Sequence, residues 1–249
     1  GLATLIVKEG KGVLYDTGAS WEGGSMAQLE ILPYLQRQGI QLEWLILSHD
    51  DNDHSGGARA MLSAYPDIQL TTASQKRYGE KNTAENDRTF CLAGKQWAWQ
   101  GLRLTVLSPD NIVHRAENPN SCTLLLTDGK HNILLTGDAD LSVEYNILPK
   151  LDKIHVLQVG HHGSKTSTGE ALVRHIQPDI ALISSSRWNP WHFPHQTVVD
   201  RLTRHHAQLY NTAEAGQIRL LFEKNDIKIQ TARAEFSPWY RRLIGLKGK

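Results

Sequence analysis

The chain is a succession of short apolar runs separated by polar and glycine-containing segments, a pattern typical of mixed α/β proteins. In TLIVKEGKGVLYDTG, two apolar runs flank KEGKG, which predicts a β-hairpin with glycine in its turn. The stretch SMAQLEILPYLQRQG has apolar residues near helical spacing, and we expect this helix to end at Gly39. LEWLILS then predicts a buried strand, HDDNDHSGG a loop at its carboxyl end, and ARAMLSAYP a second helix.

The same rhythm continues to the end of the chain. SCTLLLTDGKHNILLTGDAD predicts a hairpin with Asp-Gly in its turn. FCLAGKQWAWQGLRLTVLSP predicts two or three antiparallel strands, and residues 76–86 predict a loop. Further strands are expected in IQLTTAS, IHVLQVG and DIALISS, helices in LSVEYNILPKL, TGEALVRHIQ and QTVVDRLTRHH, and a final hairpin in IRLLFEKNDIKIQTA. Since no linker divides these two similar halves, residues 1–249 are expected to form one α/β domain, an αββα four-layer sandwich.

Composition narrows this picture only slightly. The formal net charge of the 249 residues is +1, so an anion site would have to be a local patch. No apolar run approaches the roughly 18 residues that a membrane span needs, and no signal peptide is recognisable. The sequence begins two residues before a strand-like run, so we expect a domain cut from a longer protein. Cys91 and Cys122 form no recognisable pattern and are expected to be buried, unreactive thiols.

The clearest chemical signal is SHDDNDHSGG, directly after a predicted buried strand. Five titratable side chains occupy six positions there, and they repel one another unless a cation holds them. At the strand end, His49, Asp51, Asp53 and His54 can fold around a common point. Imidazole and carboxylate are ligands of zinc, manganese and iron. The twelve histidines also cluster in GHHG and WHFPH, which lie after later predicted strands.

These motifs resemble those of the metallo-β-lactamase superfamily. HxDxDH followed by Gly-Gly is similar to the HxHxDH signature, with Asp51 in place of the second histidine. LYDTG resembles the motif whose aspartate, here Asp16, braces the metal site, and LLTGDAD the motif whose aspartate, here Asp138, bridges two metals. Together with NS before a strand, GHHGSKTS, and PH before a helix, they resemble the C-terminal domain of the ComEC family of DNA-internalisation channels.

The resemblance implies two divalent metal ions. It assigns His49, Asp51 and Asp138 to one ion, and Asp53, His54, Asp138 and a late histidine to the other. His195 is the favoured late ligand, with His161 as the competing candidate, and His161 or His162 is expected to donate a proton or contact phosphate. Asn120 or Ser121 stands where the superfamily usually has a further histidine, and the role of His192 stays open. The oxygen-rich ligand set favours Mn²⁺, with Zn²⁺ as the alternative.

Two loops are candidates for substrate contacts. In HHGSKTS, the side chains of Ser164, Lys165 and Thr166 suit a phosphate, although an ordinary strand–helix turn explains them as well. In SSSRWNPWHF, Arg187 lies among aromatic residues that can stack on unpaired bases, and packing of the loop is the competing explanation. Asn120 and Ser121 complete the candidate substrate contacts.

The leading hypothesis is a metal-dependent nuclease that degrades the DNA strand not taken up during natural transformation. Asp53 or Asp138 would orient the attacking water, and His161 or His162 would protonate the leaving oxygen. The resemblance implies DNA as partner, single-stranded DNA favoured, together with the rest of a membrane channel. It also implies a domain tethered to the bacterial inner membrane, on the periplasmic or external face. The alternatives are a phosphodiesterase acting on a smaller substrate and a DNA-binding domain with little or no catalysis.

Overall fold

The first sheet comes from the amino-terminal part of the chain. The computed structural model describes residues 1–78, 88–223 and 226–233, so most of the loop expected at residues 76–86 lies outside it. The first strands are β1 (Thr4–Lys8), β2 (Lys11–Tyr15), β3 (Ser20–Trp21), β4 (Gly24–Ser25), β5 (Gln41–Leu47), β6 (Gln69–Thr72) and β7 (Arg88–Phe90). Five of them form a sheet in the order β1-β2-β5-β6-β7, while β3 and β4 pair only with each other. The β1–β2 pair is the expected antiparallel hairpin, and the other pairs of this sheet are parallel.

The second sheet takes its seven strands in chain order. They are β8 (Gln96–Trp99), β9 (Leu102–Ser108), β10 (Thr123–Thr127), β11 (Asn132–Leu135), β12 (Val156–Gln158), β13 (Ile180–Ile183) and β14 (Gln208–Asn211). Strands β8 to β11 are antiparallel neighbours, and β11 to β14 are parallel neighbours. The final hairpin, β15 (Ile218–Phe222) and β16 (Ile227–Thr231), forms as expected. Strand β14 was not predicted, and β7 does not continue the meander of β8 and β9 but joins β6 in the other sheet.

Helices cover the outer faces of both sheets. They are α1 (Leu32–Gln38), α2 (Asn52–Ser55), α3 (Ala58–Ala64), α4 (Leu141–Ile147), α5 (Glu170–Ile176), α6 (Gln196–Arg204) and α7 (Thr212–Ala215). A π-helical turn, Ala27–Ile31, leads into α1, which ends at the left-handed Gly39 as predicted. In the described part of the chain, no helix has the length and apolarity that a membrane crossing requires.

Three apolar cores separate the four layers. Alternation along β2 sends Val13 and Tyr15 into the core between the sheets and Leu14 into the core beneath α1 and α3. Strand β5 divides its side chains in the same way, with Trp44 inside and Leu45 outside. The third core packs α4, α5 and α6 on the outer face of the second sheet. The αββα sandwich of the metallo-β-lactamase fold is therefore confirmed.

A disulfide joins the two sheets, and this corrects the expectation of free thiols. Cys91 follows β7 in the first sheet, and Cys122 precedes β10 in the second. Both residues are fully buried, as predicted, but their sulfur atoms are bonded to each other. The sequence separation of 31 residues and the crossing between sheets leave no local pattern by which the pair could have been recognised.

Candidate metal centre

The loop after β5 is more ordered than predicted, because its middle forms the short helix α2 behind Asp51. The glycines after this helix let it lie close to the segment that contains Ala27, since a Cβ on Gly57 would lie 2.5 Å from the Cβ of Ala27. Asp50 is buried and accepts hydrogen bonds from the Ala116 N–H (2.7 Å) and the Ser74 hydroxyl (2.9 Å). Asn52 likewise holds Ser20. Asp50 and Asn52 therefore point away from the cluster, and their hydrogen bonds fasten the loop.

Asp16 braces the loop from behind, at the carboxyl end of β2. Its carboxylate accepts hydrogen bonds from the Ser48 N–H and the Ser48 hydroxyl, both at 2.7 Å. The same carboxylate lies 2.8 Å from Nδ1 of His54, so that nitrogen carries a proton and donates it. The other ring nitrogen of His54, Nε2, is then directed at the cluster, where its lone pair can bind a cation in place of a proton.

His49 is oriented by the same serine. The hydroxyl of Ser48 has one proton, which it donates to Asp16, so it accepts from Nδ1 of His49 at 2.9 Å. Nε2 of His49 is left as a lone pair and is a buried atom without a hydrogen-bond partner. Burial and the neighbouring His54 lower the pKa of His49, which keeps this imidazole neutral and available as a ligand.

Asp138 enters from the second sheet on the turn after β11. Gln158, on β12, accepts from the backbone N–H groups of Thr136 and Gly137 at 2.9 Å each. Ser121 is buried beneath the turn, and its hydroxyl accepts from the Asp138 N–H at 3.2 Å. A Cβ on Gly137, which has φ +55°, would lie 2.8 Å from the Cβ of Ser48. The two sheets therefore approach each other at this turn, which explains the glycine before Asp138.

His162 completes the cluster from the turn after β12. Its Nδ1 donates to the carbonyl of Ser184 at 2.8 Å, so its Nε2 is also a lone pair. That Nε2 lies 2.9 Å from Oδ2 of Asp53 and 3.2 Å from Nε2 of His54. Oδ1 of Asp138 is 3.1 Å from Nε2 of His54, yet it is buried and makes no hydrogen bond. Imidazole nitrogens and carboxylate oxygens from both sheets thus converge within a few ångströms of one another.

A divalent cation fits this arrangement. The ligand atoms of His49, His54 and Asp138 lie within 4.8 Å of one another, as do those of Asp53, His54 and His162. Burial alone would lower the pKa of His54, but the carboxylates of Asp138 and Asp16 raise it well above its ordinary value. The environment therefore attracts positive charge to the point where the lone pairs meet.

His161 has a different environment from its neighbour. Its Nδ1 accepts a hydrogen bond from the side-chain amide of Asn118 at 3.3 Å and lies 3.1 Å from the Thr166 hydroxyl. The proton of the neutral ring is therefore on Nε2, which lies 3.7 Å from Oδ2 of Asp138. Asn118 was not predicted as a site residue, although it belongs to the NPNS segment in which Asn120 and Ser121 were chosen.

The remaining predicted residues surround the cluster at different distances. Asp51 is half-exposed, with Oδ2 3.6 Å from Nε2 of His49 and Oδ1 3.5 Å from Arg115. Asn120 accepts from the Glu117 N–H within its own turn. Lys165 and Thr166 are exposed beside His161, and the nearly buried Ser164 hydroxyl lies 3.0 Å from that of Thr166.

Two predicted residues lie in the segment that joins β13 to α6. The backbone N–H of His195 donates to the carbonyl of Gly163 at 2.8 Å, and its Nδ1 is buried without a partner. Among the described residues, its ring makes no hydrogen bond or ion pair with the carboxylates of the cluster. Arg187 donates from Nε to the carbonyl of Ala213 at 2.8 Å.

The αββα sandwich with a histidine–aspartate cluster at the carboxyl ends of its strands defines a class of metal-binding α/β proteins. Residues 1–187 match the Metallo-beta-lactamase superfamily, and the chain belongs to this superfamily, whose members are typically metal-dependent hydrolases. The chain is similar in fold to CmlA, a diiron β-hydroxylase from Streptomyces venezuelae. The TM-score is 0.55 at 9% identity, over 83% of this chain and 50% of that one.

Two curated relatives are similar over nearly the whole chain. "Recombination protein 2" of Haemophilus influenzae is 61% identical over 246 residues, which are 99% of this chain and 31% of the relative. "Competence protein ComA" of Neisseria gonorrhoeae is 29% identical over 247 residues, which are 97% of this chain and 34% of the relative. The chain therefore spans about a third of the length of the curated relatives it matches.

Proposed function

We propose that this chain is a dinuclear, metal-dependent nuclease domain that hydrolyses DNA phosphodiester bonds. The observation that carries the proposal is the convergence of imidazole nitrogens and carboxylate oxygens from both sheets. A cation is the natural partner of such a group, and the exposed Thr166 hydroxyl lies next to it, 3.1 Å from His161.

The ligand set divides into two neighbouring groups. His49, Asp51 and Asp138 would hold one ion, and Asp53, His54, Asp138 and His162 the other. The geometry favours His162 over His195 as the last ligand, because Nε2 of His162 lies 2.9 Å from Asp53. With three carboxylates among the ligands, Mn²⁺ is proposed as at least as effective as Zn²⁺. Bound divalent ions would lower the pKa of water and offset charge developing on the phosphoryl group.

The side chains around the ligands supply positioning and proton transfer. His161 presents its Nε2 proton toward the cluster while Asn118 fixes its tautomer, so His161 is the proposed donor to the leaving oxygen. Thr166 is exposed next to this ring, Lys165 is exposed on the same turn, and both are the proposed phosphate contacts. Ser121, in contrast, is fully buried and is proposed to position Asp138 through its N–H rather than to contact substrate.

The biological role is proposed from the relatives whose names refer to competence and recombination. We infer that the chain is one domain of a larger, membrane-tethered DNA-uptake protein, and that it degrades the strand not taken up. The Cys91–Cys122 disulfide supports placement on the periplasmic or external face, because disulfides persist mainly in oxidising compartments.

A cleavage assay with defined metals tests the proposal. The protein, loaded with Mn²⁺ or Zn²⁺ and with its metal content measured by mass spectrometry, is incubated with single-stranded DNA, duplex DNA and bis(p-nitrophenyl) phosphate. We expect DNA cleavage that Asp53→Ala abolishes and that the matched surface variant Asp67→Ala retains. DNA binding without cleavage under any metal would contradict an enzymatic role. Hydrolysis of the small diester alone would favour the phosphodiesterase alternative.

A further inference from the structure

The loop of residues 184–195, between β13 and α6, exposes two tryptophans. Trp188 is 90% exposed and Trp191 is 69% exposed, so neither indole contributes its full apolar area to a core. Large exposed aromatic rings on one loop typically mark a binding surface. We call this segment the aromatic loop.

The aromatic loop is held in shape without the help of its tryptophans. The side-chain amide of Asn189 donates to the carbonyls of Ser186 and Phe193, and its oxygen accepts from the Phe193 N–H, at 2.7–2.8 Å. The hydroxyl of Ser185 donates to the side chain of Asn211 at 2.8 Å. Because other residues fix the loop, the indoles are available for a ligand, and little ordering is needed on binding.

A row of rings leads from the candidate metal centre to the solvent. The carbonyl of Ser184, at the start of the loop, fixes the tautomer of His162. At the other end of the loop, the rings of Phe193 and His161 meet edge to face, with centroids 5.8 Å apart. Trp191 lies nearly parallel to Phe193, at 6.4 Å and 18°. A group stacked on Trp191 would therefore be separated from the proposed proton donor by two rings, Phe193 and Trp191.

Positive charge accompanies the rings. Arg187 is exposed in the same loop, with Nε tied to the carbonyl of Ala213, so its remaining donors have a fixed direction. Lys165 is exposed on the turn that also carries His161. Aromatic faces interleaved with cations are the combination that binds bases and phosphates of an unpaired strand. A duplex covers its base faces by stacking and offers them only at its ends.

We propose that Trp188 and Trp191 form a base-stacking subsite for single-stranded DNA next to the scissile phosphate, with Arg187 on the backbone. This inference rests on the proposed nuclease function and specifies its substrate. Loss of one stacking ring is expected to weaken binding of an unpaired strand by about 5- to 150-fold. Binding of a blunt duplex is expected to change less than twofold, on the order of measurement error.

Binding is tested in the Asp53→Ala background, so that cleavage does not interfere. Fluorescence anisotropy of labelled oligo(dT) and of a blunt hairpin duplex is measured for Trp188→Ala, Trp191→Ala and Trp191→Phe. The matched control is Phe222→Ala, an exposed aromatic that packs on His131 near the amino end of β11. We expect oligo(dT) affinity to fall in both alanine variants, to be largely restored by phenylalanine, and to be unchanged in the control. Unchanged oligo(dT) affinity in Trp191→Ala would overturn the inference.

The activity readout separates this inference from the proposed function. With Asp53 intact, the tryptophan variants should show a raised KM for single-stranded DNA and unchanged hydrolysis of bis(p-nitrophenyl) phosphate. If no variant or wild type hydrolyses any phosphodiester but oligo(dT) binding still depends on Trp191, the nuclease proposal fails and the stacking subsite stands. If DNA is cleaved with an unchanged KM in Trp191→Ala, the subsite fails and the nuclease stands.

Discussion

Removing the Cys91–Cys122 disulfide should loosen the metal centre as well as the fold. The bond ties Cys122, which lies directly beneath the cluster, to Cys91 at the end of a strand of the first sheet. The N–H of Cys122 donates to the carbonyl of Ser48, and its carbonyl accepts from the Tyr15 hydroxyl, both at 2.8 Å. The preceding residue, Ser121, supports Asp138. Displacement of this segment would therefore disturb the supports of ligands from both sheets.

The expected magnitude follows from the length of chain that the bond closes. For a sequence separation of 31 residues, the chain-entropy relation gives about 4 kcal/mol at 25 °C. A domain of this size shifts its melting temperature by roughly 2–4 °C per kcal/mol. Reduction should therefore lower the melting temperature by about 8–15 °C.

Thermal unfolding with and without dithiothreitol measures this effect. The double variant Cys91→Ala/Cys122→Ala serves as the control, since it should melt near the reduced wild type and ignore the reductant. Titration calorimetry with Mn²⁺ should show weaker binding in the reduced protein. If mass spectrometry shows two free thiols while the melting temperature and the Mn²⁺ affinity stay unchanged, the reasoning is refuted.

Three further predictions concern a support of the cluster, its last ligand and a buried carboxyl group. Asp16→Asn should weaken Mn²⁺ binding about 10- to 100-fold by calorimetry, because Nδ1 of His54 loses its carboxylate partner; an unchanged affinity with native circular dichroism would contradict this role. His162→Ala should weaken Mn²⁺ binding at least about tenfold and His195→Ala less than about twofold, and the reverse order would make His195 the ligand. Glu144 lies on α4, and its burial raises the pKa of its carboxyl group from 4.5 to about 7. The folded protein therefore binds a proton at this carboxyl group more tightly than the unfolded chain does, and stability is lost as the pH rises across this window. Urea unfolding of wild type should lose about 3 kcal/mol between pH 4.5 and 7 relative to Glu144→Gln, whereas parallel pH profiles would contradict the assignment.

Much of the fold and of the candidate site is readable from the sequence, because parallel strands bring their carboxyl ends to the same edge of their sheet. Asp16 follows β2, His49 follows β5, Asp138 follows β11 and His162 follows β12. Once the apolar runs are recognised as strands, polar residues just after them must meet at that edge. The period-two alternation of Val13 and Leu14 likewise encodes two cores on the two faces of one sheet.

Contacts between distant segments could not be read in this way. The tautomer of His162 depends on the carbonyl of Ser184, a backbone atom 22 residues away. Any residue type offers that carbonyl, so nothing in the sequence singles it out. Gln158 gives a weak signal, as the one polar residue in the apolar run VLQVG, and its role at the Asp138 turn explains why an amide is buried there.

The two halves of the cluster differ, and the difference accounts for the substitutions at Asp51 and Ser121. In the half built on His54, Asp53, Asp138 and His162 surround a buried imidazole. In the half built on His49, Asp51 lies 3.6 Å from the imidazole and shares its charge with Arg115. Asn120 or Ser121 stands where the resemblance places a histidine, and the Ser121 hydroxyl supports the backbone of Asp138 instead. We therefore expect the second half to offer an ion fewer protein ligands and to leave room for a substrate oxygen, which a hard, oxygen-preferring ion accepts readily.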